Sequence, residues 1–415
     1  MKKVIVTGVG CLSALGKNAP QFWGRLTAGK TGITGITNFS HQFLRNTKAG
    51  EVKTFSSLLE YAEKMSITSR LSLFAHWAIE EALLDSGLHR DSLKDLNVGL
   101  VLGVSLGMSL VQQVLECDDT CLKSALNTSS DLSELVNEVA ENFAIRGEAI
   151  VVSTACASGT NAIGISKDMI CYEDYDVVIC GGVDTLDRAK YLGHTALNTL
   201  TPDSMKPFTP ARNGTLFGEG TGILVLSSDD WYRRTIGTSS MAANNQACDQ
   251  RSPYAVCSGA GYSCDAMHVT APDDTAAGAI EAIRESLQDA GIGPEAVGYI
   301  NLHGSGTPLN DAMESTAIAT VFGKAANLIP VSSIKPAIGH TMGAAGALEA
   351  IATVLSIKHQ RIPPMLNVSD EQLLFPLRFI CGSSIDAPIN HALSNSFGFG
   401  GCNGTVLFSR WGDES

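Results

Sequence analysis

One cysteine and two histidines occupy positions where their side chains can do chemistry. The cysteine lies in Val151-Val152-Ser153-Thr154-Ala155-Cys156-Ala157-Ser158-Gly159-Thr160, where a β-branched apolar run stops at small residues and a helix-spaced segment follows. That pattern places the Cys156 thiol at a strand-to-helix turn, where free backbone N–H groups and the helix dipole favour thiolate over thiol. At an exposed site the dipole contributes about 0.3–1 kcal/mol, a help rather than a sufficient cause of reactivity. The histidines lie in Asn301-Leu302-His303-Gly304-Ser305-Gly306-Thr307 and Ser332-Ser333-Ile334-Lys335-Pro336-Ala337-Ile338-Gly339-His340. Each segment is glycine-bearing and follows an apolar run, Val297–Ile300 and Leu328–Val331. A buried thiol after a core strand, or a solvated loop histidine, is the ordinary reading of any one of these. Three such residues in one setting point to a site, because α/β sheets gather ligands at the carboxyl ends of their strands.

The elements that must position them alternate along the chain. Strand-like runs fall at Val4–Thr7, Val98–Leu102, Ala149–Ser153, Val177–Cys180 and Gly222–Leu226, then at Val297–Leu302, Ile329–Ser332, Leu377–Cys381, Leu393–Ser396 and Thr405–Phe408. Ala75 to Leu84 and Ala162 to Ile170 read as helices, and a helix rich in small residues starts at Gly343, suited to lying close to a sheet. The alternation indicates an α/β architecture with mixed sheets covered by helices. Direct similarity between the two halves is slight, and no Pro-, Ser- or charge-rich linker separates them.

Composition bounds the function. With 415 residues and 44% apolar content the chain can bury an extensive core, and 17% charged residues is low for a disordered chain. No stretch approaches the ~18 consecutive apolar residues of a membrane span, and Met1-Lys2-Lys3 leads into a short strand instead of a signal peptide. A cytoplasmic protein is expected. Eleven cysteines without CxxC pairs argue against a disulfide framework or a zinc site. A net charge of −13 argues against nucleic acid as a partner.

Together these segments resemble the β-ketoacyl synthases, the elongating condensing enzymes of the thiolase superfamily. The resemblance runs end to end. It opens with Val4-Ile5-Val6-Thr7-Gly8-Val9-Gly10, continues through Pro207-Phe208-Thr209-Pro210-Ala211-Arg212-Asn213-Gly214, Gly218-Glu219-Gly220 and Asp265-Ala266-Met267-His268-Val269-Thr270-Ala271-Pro272, and closes with Asn395-Ser396-Phe397-Gly398-Phe399-Gly400-Gly401-Cys402-Asn403-Gly404. It implies a thiolase-like fold of two similar βαβαβ halves, residues 1–250 and 251–415, stacked as five layers α-β-α-β-α. Cys156 then belongs to the first half and both histidines to the second.

The resemblance also implies the reaction: an acyl chain carried on Cys156 condenses with malonyl-[acyl carrier protein], releasing CO₂ and giving a 3-ketoacyl thioester. His303 and His340 serve the decarboxylation, Lys335 and Glu314 support them electrostatically, and the backbone N–H groups of Cys156 and Phe399 form the oxyanion hole. The Phe399 side chain gates an acyl pocket that Leu106 and Met108 help to line. No cofactor is needed beyond the phosphopantetheine that arrives on the carrier protein. Because carrier proteins are acidic, docking calls for a local basic patch, for which Lys64, Arg70, Lys206 and Arg212 are candidates; solvated surface charge is the plainer role for these four.

Having Cys156 separates the chain from chain-length-factor subunits, and two histidines separate it from biosynthetic thiolases. His303-Gly304-Ser305-Gly306-Thr307 with Asn310-Asp311 favours the catalytic subunit of dissociated (type II) polyketide systems, with housekeeping ketoacyl synthase II as the alternative. The first implies a heterodimer with a chain-length-factor-like subunit and the second a homodimer. A non-catalytic partner subunit is the alternative of another class.

Overall fold

The computed structural model describes residues 2–105, 132–237 and 252–412. Two five-stranded sets dominate it. The first comprises β1 (Val4–Ser13), β2 (Val98–Gly103), β3 (Ala149–Val152), β4 (Val177–Asp184) and β5 (Gly220–Ser228). The second comprises β6 (Ala255–Cys264), β7 (Tyr299–Asn301), β8 (Pro330–Ser332), β10 (His391–Phe397) and β11 (Cys402–Ser409), with a two-residue strand β9 (Arg378–Phe379) added outside β8. The spatial orders are β3-β2-β4-β5-β1 and β8-β7-β10-β11-β6. Numbered within each half, both read third, second, fourth, fifth, first. The inner pairs β2–β3, β2–β4, β7–β8 and β7–β10 are parallel. The pairs β4–β5, β5–β1, β10–β11 and β11–β6 are antiparallel. The halves are therefore topological duplicates, joined where Ile5 and Val6 of β1 pair with Val256 and Ala255 of β6.

The helices duplicate too. In the first half α1 (Arg70–Ser86), α2 (Leu132–Asn142) and α3 (Ser158–Tyr172) follow β1, β2 and β3. After β4 comes α4 (Arg188–Ala196); in the second half α5 (Ala277–Ala290), α6 (Pro308–Phe322) and α7 (Ala345–His359) follow β6, β7 and β8. One core packs α1 and α2 on the first sheet, another packs α5 and α6 on the second, and α3 and α7 fill the layer between. This is the five-layered α-β-α-β-α stack. Helix α7 is buried on every side from Ala345 to Ile357, which explains its unbroken run of small and apolar residues.

The sequence pattern stopped β1 at Thr7 and passed over β6, and one physical cause accounts for both. A Cβ on Gly8 or Gly10 would lie 2.3 or 2.1 Å from a backbone oxygen of α1, and one on Gly259 or Gly261 would lie 2.1 Å from a backbone oxygen of α5. These glycines let a helix backbone press onto the strand, where the usual strand signal of branched side chains has no room. The Gly-x-Gly spacing in equivalent first strands is the trace of the duplication that survives in the sequence.

Candidate functional site

Cys156 lies in a short 3₁₀ turn, Ala155–Ala157, between β3 and α3. Ala155 adopts φ 51°, in the left-handed region that a non-glycine residue occupies only when its surroundings hold it there. The second half repeats the device after β8: Met342, also at φ 51°, opens the 3₁₀ turn Met342–Ala344 ahead of α7. At this second turn Gly343 stands where the first has its cysteine, so only the first of the two turns carries a thiol.

The two histidines reach the same point from the second half. His340 Nε2 lies 3.1 Å from Cys156 Sγ, and its Nδ1 accepts the Met342 N–H at 3.2 Å. An accepting Nδ1 leaves the proton on Nε2, so His340 donates toward the sulfur. His303 Nδ1 lies 3.2 Å from Lys335 Nζ, which donates to it and leaves the His303 proton on Nε2 as well. The imidazoles meet edge to face with centroids 5.3 Å apart. Burial first, then Lys335, holds both well below the usual histidine range, so both are neutral donors at neutral pH.

Glu314, on α6, accepts the His303 N–H at 2.7 Å and the Gly304 N–H at 2.8 Å, fixing the loop that carries the histidine. Asp311, one turn earlier on the same buried face, accepts the Phe208 and Gly306 N–H groups at 2.8 and 3.1 Å. It clamps the Phe208 segment to the His303 loop, a more specific task than complementing the start of a helix.

Two acidic residues escaped sequence reasoning. Glu349, fully buried on α7, forms an ion pair with Lys335, which thus holds its counter-charge and His303 together. Burial pushes the Glu349 carboxyl up to about 7 against the pull of Lys335. A lone charge in the apolar run Ala345–Ile357 was the available signal, since a buried charge needs a partner. Glu349→Ala strands Lys335 in the interior and is expected to destabilise the protein by about 3–5 kcal/mol, read by denaturant unfolding. Asp184, at the end of β4, accepts the Ser105 and Gly343 N–H groups at 3.1 and 2.9 Å and pairs with Lys190, tying three strand-end segments around the nucleophile.

Around Cys156 the sequence expectation of a stabilised thiolate gives way to burial. Its thiol is pushed up to about 11, while Lys335 and a hydrogen bond from the Phe399 N–H pull it down. The helix dipole is worth less than one pH unit and does not reverse this. The Phe399 N–H, expected in an oxyanion hole, is aimed at Cys156. The Phe399 ring stacks on His194 of α4, with centroids 5.3 Å apart and planes 14° off parallel. His194 in turn meets Phe217 edge-on at 4.6 Å. These rings, Cys156 and both histidines line one cavity of about 540 Å³.

The four expected basic residues do not converge on it. Leu106 and Met108 lie outside the described residues. Arg70, expected at a docking surface, turns its guanidinium inward: Nε donates to buried Glu219 at 3.1 Å and Nη2 to the Val52 carbonyl at 2.8 Å. Glu219 also accepts the Val52 and Leu186 N–H groups, so Arg70 neutralises a buried structural carboxylate. Arg212 packs over Phe375 at 5.3 Å and donates to the Thr209 carbonyl at 2.9 Å. Lys206 is half-buried in the same segment, and Lys64 is exposed on the helix Ser56–Met65.

Two family models match this chain: Beta-ketoacyl synthase, N-terminal domain, over residues 1–230, and Beta-ketoacyl synthase, C-terminal domain, over residues 254–369. The chain belongs to the β-ketoacyl synthase family. This ketosynthase is 33% identical to a 3-oxoacyl-[acyl-carrier-protein] synthase 2 of Synechocystis, over 99% of its own length and 98% of the relative's. Among solved structures it resembles the ishigamide ketosynthase/chain length factor, with TM-score 0.86 and 31% identity over 99% of this chain and 100% of that one. It also resembles a type II polyketide ketosynthase solved with its acyl carrier protein, with TM-score 0.83 and 26% identity over 98% and 99% of the two chains. It is a condensing acyltransferase on the thiolase fold. No helix among the described residues is long and apolar enough to cross a membrane.

Proposed function

We propose that this ketosynthase performs a decarboxylative Claisen condensation between an acyl chain on Cys156 and malonyl-[acyl carrier protein], in type II polyketide biosynthesis. The observation that carries the chemistry is one cavity that Cys156 shares with two neutral histidines, with His340 Nε2 3.1 Å from the sulfur and the Phe399 N–H hydrogen-bonded to it. In the first step the Cys156 sulfur bonds to the acyl carbon, the carrier's C–S bond breaks and the thiol proton leaves on the carrier's phosphopantetheine sulfur, an exchange of one thioester for another that needs geometry more than driving force. Malonyl then loses CO₂ as its C–C bond breaks and the electron pair moves onto the thioester oxygen. His303 and His340 donate to that oxygen and hold the enolate without being ionised. The enolate carbon attacks the acyl carbonyl, the Cys156 and Phe399 N–H groups take the resulting oxyanion, and its collapse expels the Cys156 sulfur with the 3-ketoacyl chain left on the carrier. The substrates bring their own phosphopantetheine, so the enzyme calls for no resident cofactor. Phe399, stacked on His194 at the cavity, is the gate that must move to admit the acyl chain.

The polyketide assignment draws on His303-Gly304-Ser305-Gly306-Thr307 with Asn310-Asp311, and on likeness to the ishigamide ketosynthase/chain length factor and to a type II polyketide ketosynthase in complex with its acyl-carrier protein. It entails pairing with a chain-length-factor-like subunit. The relatives named 3-oxoacyl-[acyl-carrier-protein] synthase 2 favour a second reading, housekeeping fatty-acid elongation by a homodimer. Intact-protein mass after exposure to carrier proteins bearing saturated or polyketide-like chains discriminates between them by the chain that loads best. Size-exclusion chromatography with candidate partner subunits is the companion test, and a stable, active homodimer would count against the polyketide reading.

The pH dependence follows from the burial of these groups. With the thiol raised to about 11 and both histidines held below their usual range, no group of the triad titrates between pH 6 and 8. Iodoacetamide labelling of Cys156 is expected to accelerate ~tenfold per pH unit from 7 to 10, following the thiolate fraction. A plateau near pH 7 would mean that the His340 and Phe399 donors outweigh burial.

A further inference from the structure

Cys264 ends β6 and Cys402 opens β11, and the antiparallel register sets them directly opposite each other. Opposed residues project from the same face with Cβ atoms ~4.5–5.5 Å apart, close to the span of a disulfide. The Cys264 thiol is near enough to raise that of Cys402, after burial, and Cys264 Sγ lies 3.6 Å from the Gly400 carbonyl oxygen. Cys264 is the exposed one among the described cysteines, and Cys402 is half-buried.

This pair sits at the base of the loop that holds Phe399. The Gly398 N–H donates to the Cys402 carbonyl at 2.7 Å, closing the loop, and the Gly400 N–H donates to the Val269 carbonyl at 2.7 Å. The Asp265 N–H, next to Cys264, donates to the Gly401 carbonyl at 2.9 Å. Gly400 and Gly401 adopt φ 78° and 72°, and Thr270, Ala271 and Pro272 beyond Val269 line the cavity. A loop with two left-handed glycines can swing only as far as its anchors allow.

We propose that Cys264 and Cys402 are an oxidation site: a peroxide joins them in a reversible disulfide that pins the Phe399 loop and arrests condensation. The Cys264 sulfur attacks the peroxide, the O–O bond breaks and the first water leaves. Cys402 then displaces the second oxygen as water, so two thiols lose two protons and two electrons to the peroxide. Joining the sulfurs also removes the Cys264 S–H from the Gly400 carbonyl and ties the end of β6 to the exit of the gate loop. A disulfide made by an exposed cysteine is readily reached by a reductant, which makes it suited to a switch. The inference rests on Phe399 being the gate.

The test treats the full-length protein with hydrogen peroxide, maps linked peptides by mass spectrometry and follows condensation. The rate at which a long-chain chloroacetamide alkylates Cys156 provides a readout independent of turnover. The expected result is a Cys264–Cys402 linked peptide, with both rates at least tenfold lower and restored by dithiothreitol. Cys264→Ser is expected to form no such link and to keep both rates through the same treatment. The proposal is overturned if no linked peptide forms, if Cys264→Ser is inactivated equally through oxidation of Cys156, or if the link forms and Cys156 alkylates as before. An untreated enzyme that does not condense would refute the functional reading instead, while the peptide map and the alkylation rate would still decide the switch.

Discussion

Cys156→Ala is expected to abolish covalent loading from every acyl carrier protein and to lower condensation by on the order of 10³–10⁶, the range typical of losing a nucleophile. The structure makes the substitution a clean one. Cys156 occupies a turn whose backbone is set by Ala155 and by the Ser158 hydroxyl, which accepts the Thr154 N–H at 2.9 Å and donates to the Ala155 carbonyl at 2.6 Å. None of these contacts needs the sulfur, so the variant keeps its fold; the Phe399 N–H loses its sulfur acceptor, but the Gly398 N–H still closes that loop on the Cys402 carbonyl. Intact-protein mass beside the wild type is the measurement. A thioester adduct on the variant would place the acyl chain elsewhere and sink the mechanism. An adduct on neither protein would point to a missing partner subunit or a scaffold role.

His303→Ala and His340→Ala should each suppress condensation by ~10²–10³, the usual consequence of removing one donor from a developing oxyanion. The two should differ in the first half-reaction. His340 Nε2 faces the sulfur at 3.1 Å, so its loss also slows acyl loading, whereas His303 is held by Lys335 and the Glu314-bound loop and its loss leaves loading largely intact. Carbon dioxide released from malonyl carrier protein reads one step and adduct mass reads the other. Normal condensation by either variant would remove that histidine from the chemistry. Equal loading defects in both would show that the histidines act on the thiol as a unit.

Much of this site was legible because its chemistry is local. A strand end, small residues and a cysteine at a helix start are consecutive in the chain, as are each histidine and its glycines, so types and spacing exposed them. Glu349 and Asp184 were not legible in that way. Glu349 acts across 14 positions on Lys335, and Asp184 across 159 positions on Gly343. Arg70 is the converse case: its charge was legible, but its partner Glu219 is 149 positions away, and only folding shows the pair turned inward.

By itself, then, the sequence determined the α/β class and the family, and it singled out Cys156 and the two histidines as candidates for the chemistry, because these depend on short-range patterns that survive without coordinates. The tertiary structure alone decided how the duplicated halves meet, since that depends on β1 pairing with β6 and on two buried helices filling the central layer. It alone decided the protonation of the site as well. The helix dipole, local and readable, favours the thiolate, but burial by residues from both halves is the larger effect and holds Cys156 as a thiol and both histidines neutral.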